Sequence, residues 1–322
     1  MGERTTILIT GAAGNLGSHL ARHLIPTGHD LRLMFHNNPV AEDLLDAPNV
    51  TAVQADLACH ETLRPAVQGA DVVVHFAGVL FAPRPEKFLP ETNFGWFSNL
   101  LDACLQAGVR RVILISFPHV EGPTSVEKPA SGRLDAQPMS VHAQTRLEEE
   151  RLLFSRCRGS RTTPVVLRVG MVYGPGILMI DAARWLASRR LLAVWREPTW
   201  IHLIATLDFL NAVEAAIVKP DVDGIYHVGD DQAVTLQHFL DKACRVWGYP
   251  APRRLPLWLI YLAAGMCECT GAVARTRSPL TRDFIRIGQV SYFGDTQRAR
   301  EQLIPELAYP TLDDGLCRIF SR

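Results

Sequence analysis

Apolar residues in the first half of the chain follow two alternating rhythms. Short unbroken runs rich in β-branched residues occur at TTILIT (5–10), DLRLMF (30–35), VTAVQA (50–55), DVVVHFAG (71–78), RRVILIS (110–116) and PVVLRVG (164–170). Runs this continuous predict strands covered on both faces. Between them the period changes to that of a helix, as with Leu16, Leu20 and Leu24, and TNFGWFSNLLDACLQAG (92–108) predicts a helix stopped by Gly108. Strands alternating with helices imply a parallel, doubly wound α/β sheet with right-handed crossovers, here over residues 1–175. Beyond residue 175 apolar helical stretches at 178–195, 206–218, 235–247 and 256–267 are separated by Pro- and Gly-containing loops. They predict a smaller, mostly helical lobe over 176–322, with a chain return to the sheet left open, that covers the ligand crevice.

Composition narrows the class. Lys plus Arg and Asp plus Glu both number 33, so the net charge is zero and no strong field invites nucleic acid or an anionic membrane. The N-terminus shows no basic segment followed by an apolar one, so no signal peptide is expected. Seven scattered cysteines are an odd set and point to a reducing cytoplasm. Cys267 and Cys269 are the one close pair, without partners at ligand spacing, so no metal site is expected. The apolar run Leu257–Cys267 is about half of a membrane span and is interrupted by Glu268. A buried or pocket-lining helix is the better reading, and interfacial attachment the lesser one.

ITGAAGNLGSHL places Gly11, Gly14 and Gly17 between the first strand and first helix. Glycines there allow a tight turn and a close approach of backbone to a pyrophosphate, and the helix N-terminus supplies unpaired N–H groups. With Ala13, Asn15 and Leu16 completing the turn, a Rossmann-type dinucleotide domain is predicted. The second strand ends LRLMFHNN, with Arg32 inside it and His36 at its end, and no Asp or Glu. A carboxylate there would oppose a 2′-phosphate, so NADP is favoured, with NAD still open.

On these motifs the chain resembles the extended and atypical short-chain dehydrogenase/reductases, the group that includes nucleotide-sugar epimerases, dihydroflavonol reductases and 3β-hydroxysteroid dehydrogenases. The resemblance covers most of the chain and rests on TGAAGNLG, ADL (55–57), HFAG (75–78), TNFGWFSNLLDAC (92–104), LRVGMVYGPG (167–176) and PTLDDGL (310–316). It implies that Asp56 and Leu57 lie against the adenine and that Phe76, Ala77 and Gly78 line the cofactor path. It also implies Asn93 on the central helix, a substrate pocket after VYGPG, and a homodimer.

The same resemblance implies a Ser/Tyr/Lys triad that this chain lacks. Following Pro-x-x-x-Tyr-x-x-Ser-Lys from Pro138, the Tyr place is His142, the Ser place Thr145 and the Lys place Arg146. The carbonyl-polarising Ser place falls on Phe117, with Ser116 before it and His119 nearby. An imidazole titrates near 6.5 where a phenol needs about 10, so His142 can move protons unaided. Arg146 stays charged and can donate to ribose hydroxyls or a carboxylate. The candidate catalytic set is therefore His142, Arg146, Ser116 and Thr145, with Glu148, Glu149 and Glu150 expected on a solvated face. Large apolar residues in the second lobe (Met179, Trp185, Trp195, Trp200, Trp258, Tyr261) favour an apolar small-molecule carbonyl or hydroxyl substrate. Three functions stay open: an oxidoreductase using NADP or NAD, a non-redox epimerase, dehydratase, lyase or cyclase, and a non-catalytic dinucleotide sensor.

Overall fold

A computed structural model describes residues 4–78, 85–274 and 280–320. The apolar runs become β1 (Thr6–Thr10), β2 (Asp30–Phe35), β3 (Val50–Gln54), β4 (Val72–His75), β5 (Arg111–Ser116) and β6 (Thr163–Val169). All pair in parallel. Successive strand residues face opposite sides, which explains why the runs must be apolar throughout. Ile7, Ile9, Val72 and Val74 pack on α1 (Asn15–Leu24). Leu8, Val73, Val112 and Leu114 face α3 (His60–Val67), α4 (Trp96–Ala107) and α5 (Val141–Cys157). The short α2 (Glu42–Leu45) bridges β2 to β3. Gly108, at φ 71, ends α4 as predicted, although α4 begins only at Trp96, after a wide π turn over Pro90–Gly95.

The chain does return to the sheet. After β7 (Met171–Tyr173), α6 (Leu178–Ser188), β8 (Ala193–Trp195) and β9 (Trp200–Ala205), helix α7 (Thr206–Val218) packs against α1, and β10 (Gly224–Val228) pairs with β6. The completed sheet has the order β10-β6-β5-β4-β1-β2-β3. Strand order reverses beside β1, between β2 and β4, and a crevice at the carboxyl ends of such strands is where ligands of open α/β sheets bind. Arg111, 2% exposed, fastens the return. Its guanidinium donates to the carbonyls of Ala216, Ile217, Lys219 and Pro220 at the end of α7, groups that helix geometry leaves without partners.

The second lobe contains more strand than its sequence suggests. β11 (Ala233–Thr235), β9 and β7 form a three-stranded sheet, and β12 (Arg253–Leu255) pairs with β8. The expected helix over 178–195 breaks after Ser188 because Arg190 adopts φ 58, and the chain leaves as β8. The remaining helices are α8 (Leu236–Val246), α9 (Leu257–Ala274), α10 (Arg282–Gly288), α11 (Gln297–Gln302) and α12 (Leu312–Ile319). Among the described residues no helix is long and apolar enough to cross a membrane.

Candidate active site

The glycine turn has the sterics of a phosphate cradle. Gly11 takes φ +69, and a Cβ there would sit 3.0 Å from the Ala77 nitrogen. A Cβ on Gly14 or Gly17 would lie 2.9 or 2.4 Å from the Gly11 carbonyl oxygen, so α1 can press on the turn only without side chains. Gly14 caps α1 with no side chain to accept from its first N–H groups, leaving those dipoles for an anion at the tip beside exposed Ala13. These residues fit a dinucleotide pyrophosphate. The Asn15 side chain is used elsewhere: its Nδ2 donates to Gly176 O (2.5 Å) and its Oδ1 accepts from Leu178 N (2.9 Å). His19 Nε2 lies 3.2 Å from the same Gly176 carbonyl. Asn15 and His19 thus clasp the turn to the first residues of α6, and Leu16 packs against both cores. The Gly-rich VYGPG segment was the signal for this clasp, but its partner is distant in sequence.

At the other end of the crevice, exposed His36 follows β2 with its Nε2 3.5 Å from Asp56 Oδ2. Asp56 Oδ1 accepts from Ala58 N, and the Leu57 carbonyl accepts from Asn99 Nδ2. Arg32 does not join them. Its guanidinium donates to Gln68 O, in the turn leading into β4 and so at the opposite edge of the sheet. The guanidinium of Arg32 is thus engaged by the backbone of that turn.

Helix α5 buries His142, Thr145 and Arg146 together. Ser140 caps it, accepting from Ala143 N. His142 is 6% exposed, and its ring stacks on Phe117 (centroids 5.1 Å, planes 18° apart). Burial, the Arg146 charge and His119 together push its pKa down to about 3, so the ring is neutral at physiological pH. Thr145 Oγ1 donates to the His142 carbonyl and accepts from Asn93 Nδ2 (both 3.1 Å). Arg146, also 6% exposed, reaches the end of β4, where a Cβ on Gly78 would lie 2.9 Å from its Nη2. Its charge, after burial, also holds His75 at about 3. Phe76 and Ala77 line the same strand end, Phe76 edge-on to Phe209. His119 stands against Phe117 and against Tyr292, the latter with centroids 4.1 Å apart. Tyr292, missed in the sequence, donates to His202 O and accepts from Met171 N.

Two expectations need correction. Glu149 and Glu150 are fully buried rather than solvated. Glu149 lies 2.8 Å from Arg146 Nη1, and burial pushes its carboxyl up to about 7 against the pull of Arg146. Glu150 meets the buried Arg168 of β6, accepting from Nε (3.2 Å) and Nη2 (2.6 Å). Arg168 also pairs with Glu121 and donates to Arg133 O. Ser116, a catalytic candidate, gives its hydroxyl hydrogen to Glu150 Oε1 (2.5 Å). That donor is spent on the ion-pair network, so it cannot polarise a substrate carbonyl. Among the described residues no group of three or more His, Cys, Asp or Glu could hold a metal.

The comparisons agree with this geometry. The pattern of the NAD dependent epimerase/dehydratase family matches residues 7–229. The 3 beta-hydroxysteroid dehydrogenase type 7 of Homo sapiens is 34% identical over 148 residues, which is 44% of this chain and 40% of that protein. The 2-alkyl-3-oxoalkanoate reductase of Shewanella oneidensis is 25% identical over 97% of this chain and 84% of its own length. The solved structure of MoeE5 in complex with UDP-glucuronic acid and NAD superposes with a TM-score of 0.76 at 22% identity, covering 98% of both chains. A glycine cradle at β1, a crevice at the reversal of strand order and a family pattern spanning both place this chain in the NAD dependent epimerase/dehydratase family of enzymes.

Proposed function

We propose that the protein is a nicotinamide-dinucleotide-dependent oxidoreductase acting on a carbonyl or hydroxyl group of a largely apolar small molecule, with His142 bonding the reacting oxygen. One observation carries this reading: a buried neutral imidazole stands one helical turn from a buried guanidinium that reaches Gly78. The bound dinucleotide would supply or accept the hydride. Gly11, Gly14, Gly17 and the first N–H groups of α1 would hold its pyrophosphate, and Arg146 its nicotinamide ribose. His142 donates as imidazole, not imidazolium, because burial, aided by the neighbouring cation, suppresses its protonation. The same cation stabilises the negative charge that builds as the ring shares its proton. Phe117 fixes the ring plane. Thr145, held by Asn93, sets the helical turn instead of donating to substrate.

The apolar substrate is supported by Leu178, Met179 and Trp185, all exposed on α6, the helix clasped to the cofactor turn. It also agrees with the names of the human and Shewanella relatives, a hydroxysteroid dehydrogenase and an oxoalkanoate reductase. With Arg32 engaged elsewhere and Asp56 beside His36, NADP and NAD should bind within about tenfold of each other, or about 1.4 kcal/mol. Fluorescence titration with NADPH and NADH, followed by a screen of apolar ketones, tests the reading. His142→Ala should cut kcat about 100- to 10,000-fold and leave dinucleotide affinity unchanged. Full turnover in both His142→Ala and His142→Tyr would remove His142 from the chemistry, and failure of both dinucleotides to bind would overturn the proposal.

A further inference from the structure

A net charge of zero hides an uneven surface. Helix α9 turns Ile260 and Ala264 into the lobe core and leaves Trp258, Leu262 and Met266 outside, 65%, 54% and 58% exposed. Their spacing of four sets them in one row, about 12 Å long at the rise of a helix. β12 runs directly into α9, so Arg253 and Arg254 stand just ahead of Trp258. Two adjoining cavities of about 520 and 240 Å³ share Ala251 beside this strand. Arg245 and Arg254 line the first, Arg190 and Arg253 the second. Asp241 neutralises Arg254 at 2.6 Å, whereas Arg190, Arg245 and Arg253 have no ion-pair partner among the described residues. On neighbouring α6, Arg189 lies over the half-exposed Trp185 ring at 4.0 Å.

A row of large apolar side chains that begins where a cluster of unpaired guanidiniums ends marks an interaction surface. A free anion would use the arginines and leave the row in water, and an apolar partner would strand the charges. Anionic lipid satisfies both, with acyl chains against the row and headgroup phosphates against the arginines. We propose that the second lobe docks peripherally on an anionic bilayer through Trp258, Leu262 and Met266, with Arg190, Arg245 and Arg253 on the headgroups. The helix lies on the surface and does not cross it. The proposal stands apart from the chemistry assigned to His142.

Co-sedimentation of the full chain with vesicles tests it. Binding is expected with phosphatidylcholine vesicles containing phosphatidylserine, weaker with phosphatidylcholine alone, and weaker again at high salt. The Leu262→Gln/Met266→Gln variant should lose at least about tenfold in partition, and each of Arg190→Gln and Arg253→Gln about fivefold. All four positions are exposed and lie outside the cofactor crevice, so unchanged circular dichroism and dinucleotide binding serve as the control for folding. Absence of sedimentation with the phosphatidylserine vesicles overturns the proposal, as does wild-type binding by the Leu262→Gln/Met266→Gln variant. A dimer in analytical ultracentrifugation that the same variant dissolves, without vesicle binding, overturns it in favour of a second copy.

Discussion

The ion-pair network behind α5 gives the sharpest test of how this site is held. Glu150→Ala removes a fully buried carboxylate that accepts three hydrogen bonds from Arg168 and one from Ser116. Arg168 has no exposed surface and would keep only Glu121 and the Arg133 carbonyl. Breaking one side of a buried pair leaves an uncompensated charge, at a cost of about 3–5 kcal/mol. For a chain of this size each kcal/mol is worth about 2 °C, so melting should fall by about 6–10 °C. The loss should persist at high salt, because a buried pair is poorly screened. The double variant Glu150→Leu/Arg168→Met removes both charges and should lose clearly less than the single change. Calorimetry or circular-dichroism melting of the three proteins decides the matter. A Glu150→Ala shift under about 2 °C, or a double variant worse than the single one, would refute the claim that this network ties α5 and its His142 to the sheet.

Two further outcomes follow from the same geometry. Gly17→Ala places a Cβ 2.4 Å from the Gly11 carbonyl oxygen, so α1 must move off the turn; dinucleotide affinity in a fluorescence titration should fall at least about tenfold, with about 1–3 kcal/mol of stability lost to overpacking, and unchanged affinity would show that the turn does not cradle the cofactor. Glu149, raised from 4.5 to about 7 mainly by burial, makes the folded protein hold a proton the unfolded chain releases. Its contribution to stability is therefore present at low pH and is lost as pH rises from about 4.5 through 7, by up to about 3 kcal/mol. Urea midpoints across that window should slope downward with pH in the wild type and less so in Glu149→Gln; equal slopes would place the Glu149 carboxyl in an ordinary solvated range.

Much of the fold could be read from local pattern because local constraints produced it. The buried strands of a doubly wound sheet need apolar residues on both faces, and β1, β4, β5 and β6 have them. Gly108 ends α4 by its own backbone freedom. In the second lobe four strands are only three residues long, too short for a period to register. The break after Ser188 depends on Arg190 in a conformation that its side chain does not advertise. Within the site, spacing alone put His142, Thr145 and Arg146 on one helix, but the tasks of Ser116, Asn15 and Arg32 depended on partners 34, 161 and 36 residues away.

The sequence by itself determined the parallel sheet and the glycine turn. These rest on steric and periodic rules that act over a few residues. Tertiary structure alone decided the fate of three consecutive glutamates. Each residue along α5 turns about 100° from the last, so Glu148 meets solvent, Glu149 meets Arg146, and Glu150 meets Arg168 arriving on β6. It likewise decided the charge at His142, since a ring's protonation depends on what packs around it. Summed charge cannot reveal where arginines gather beside an apolar helix; only the folded surface of α9 and β12 does.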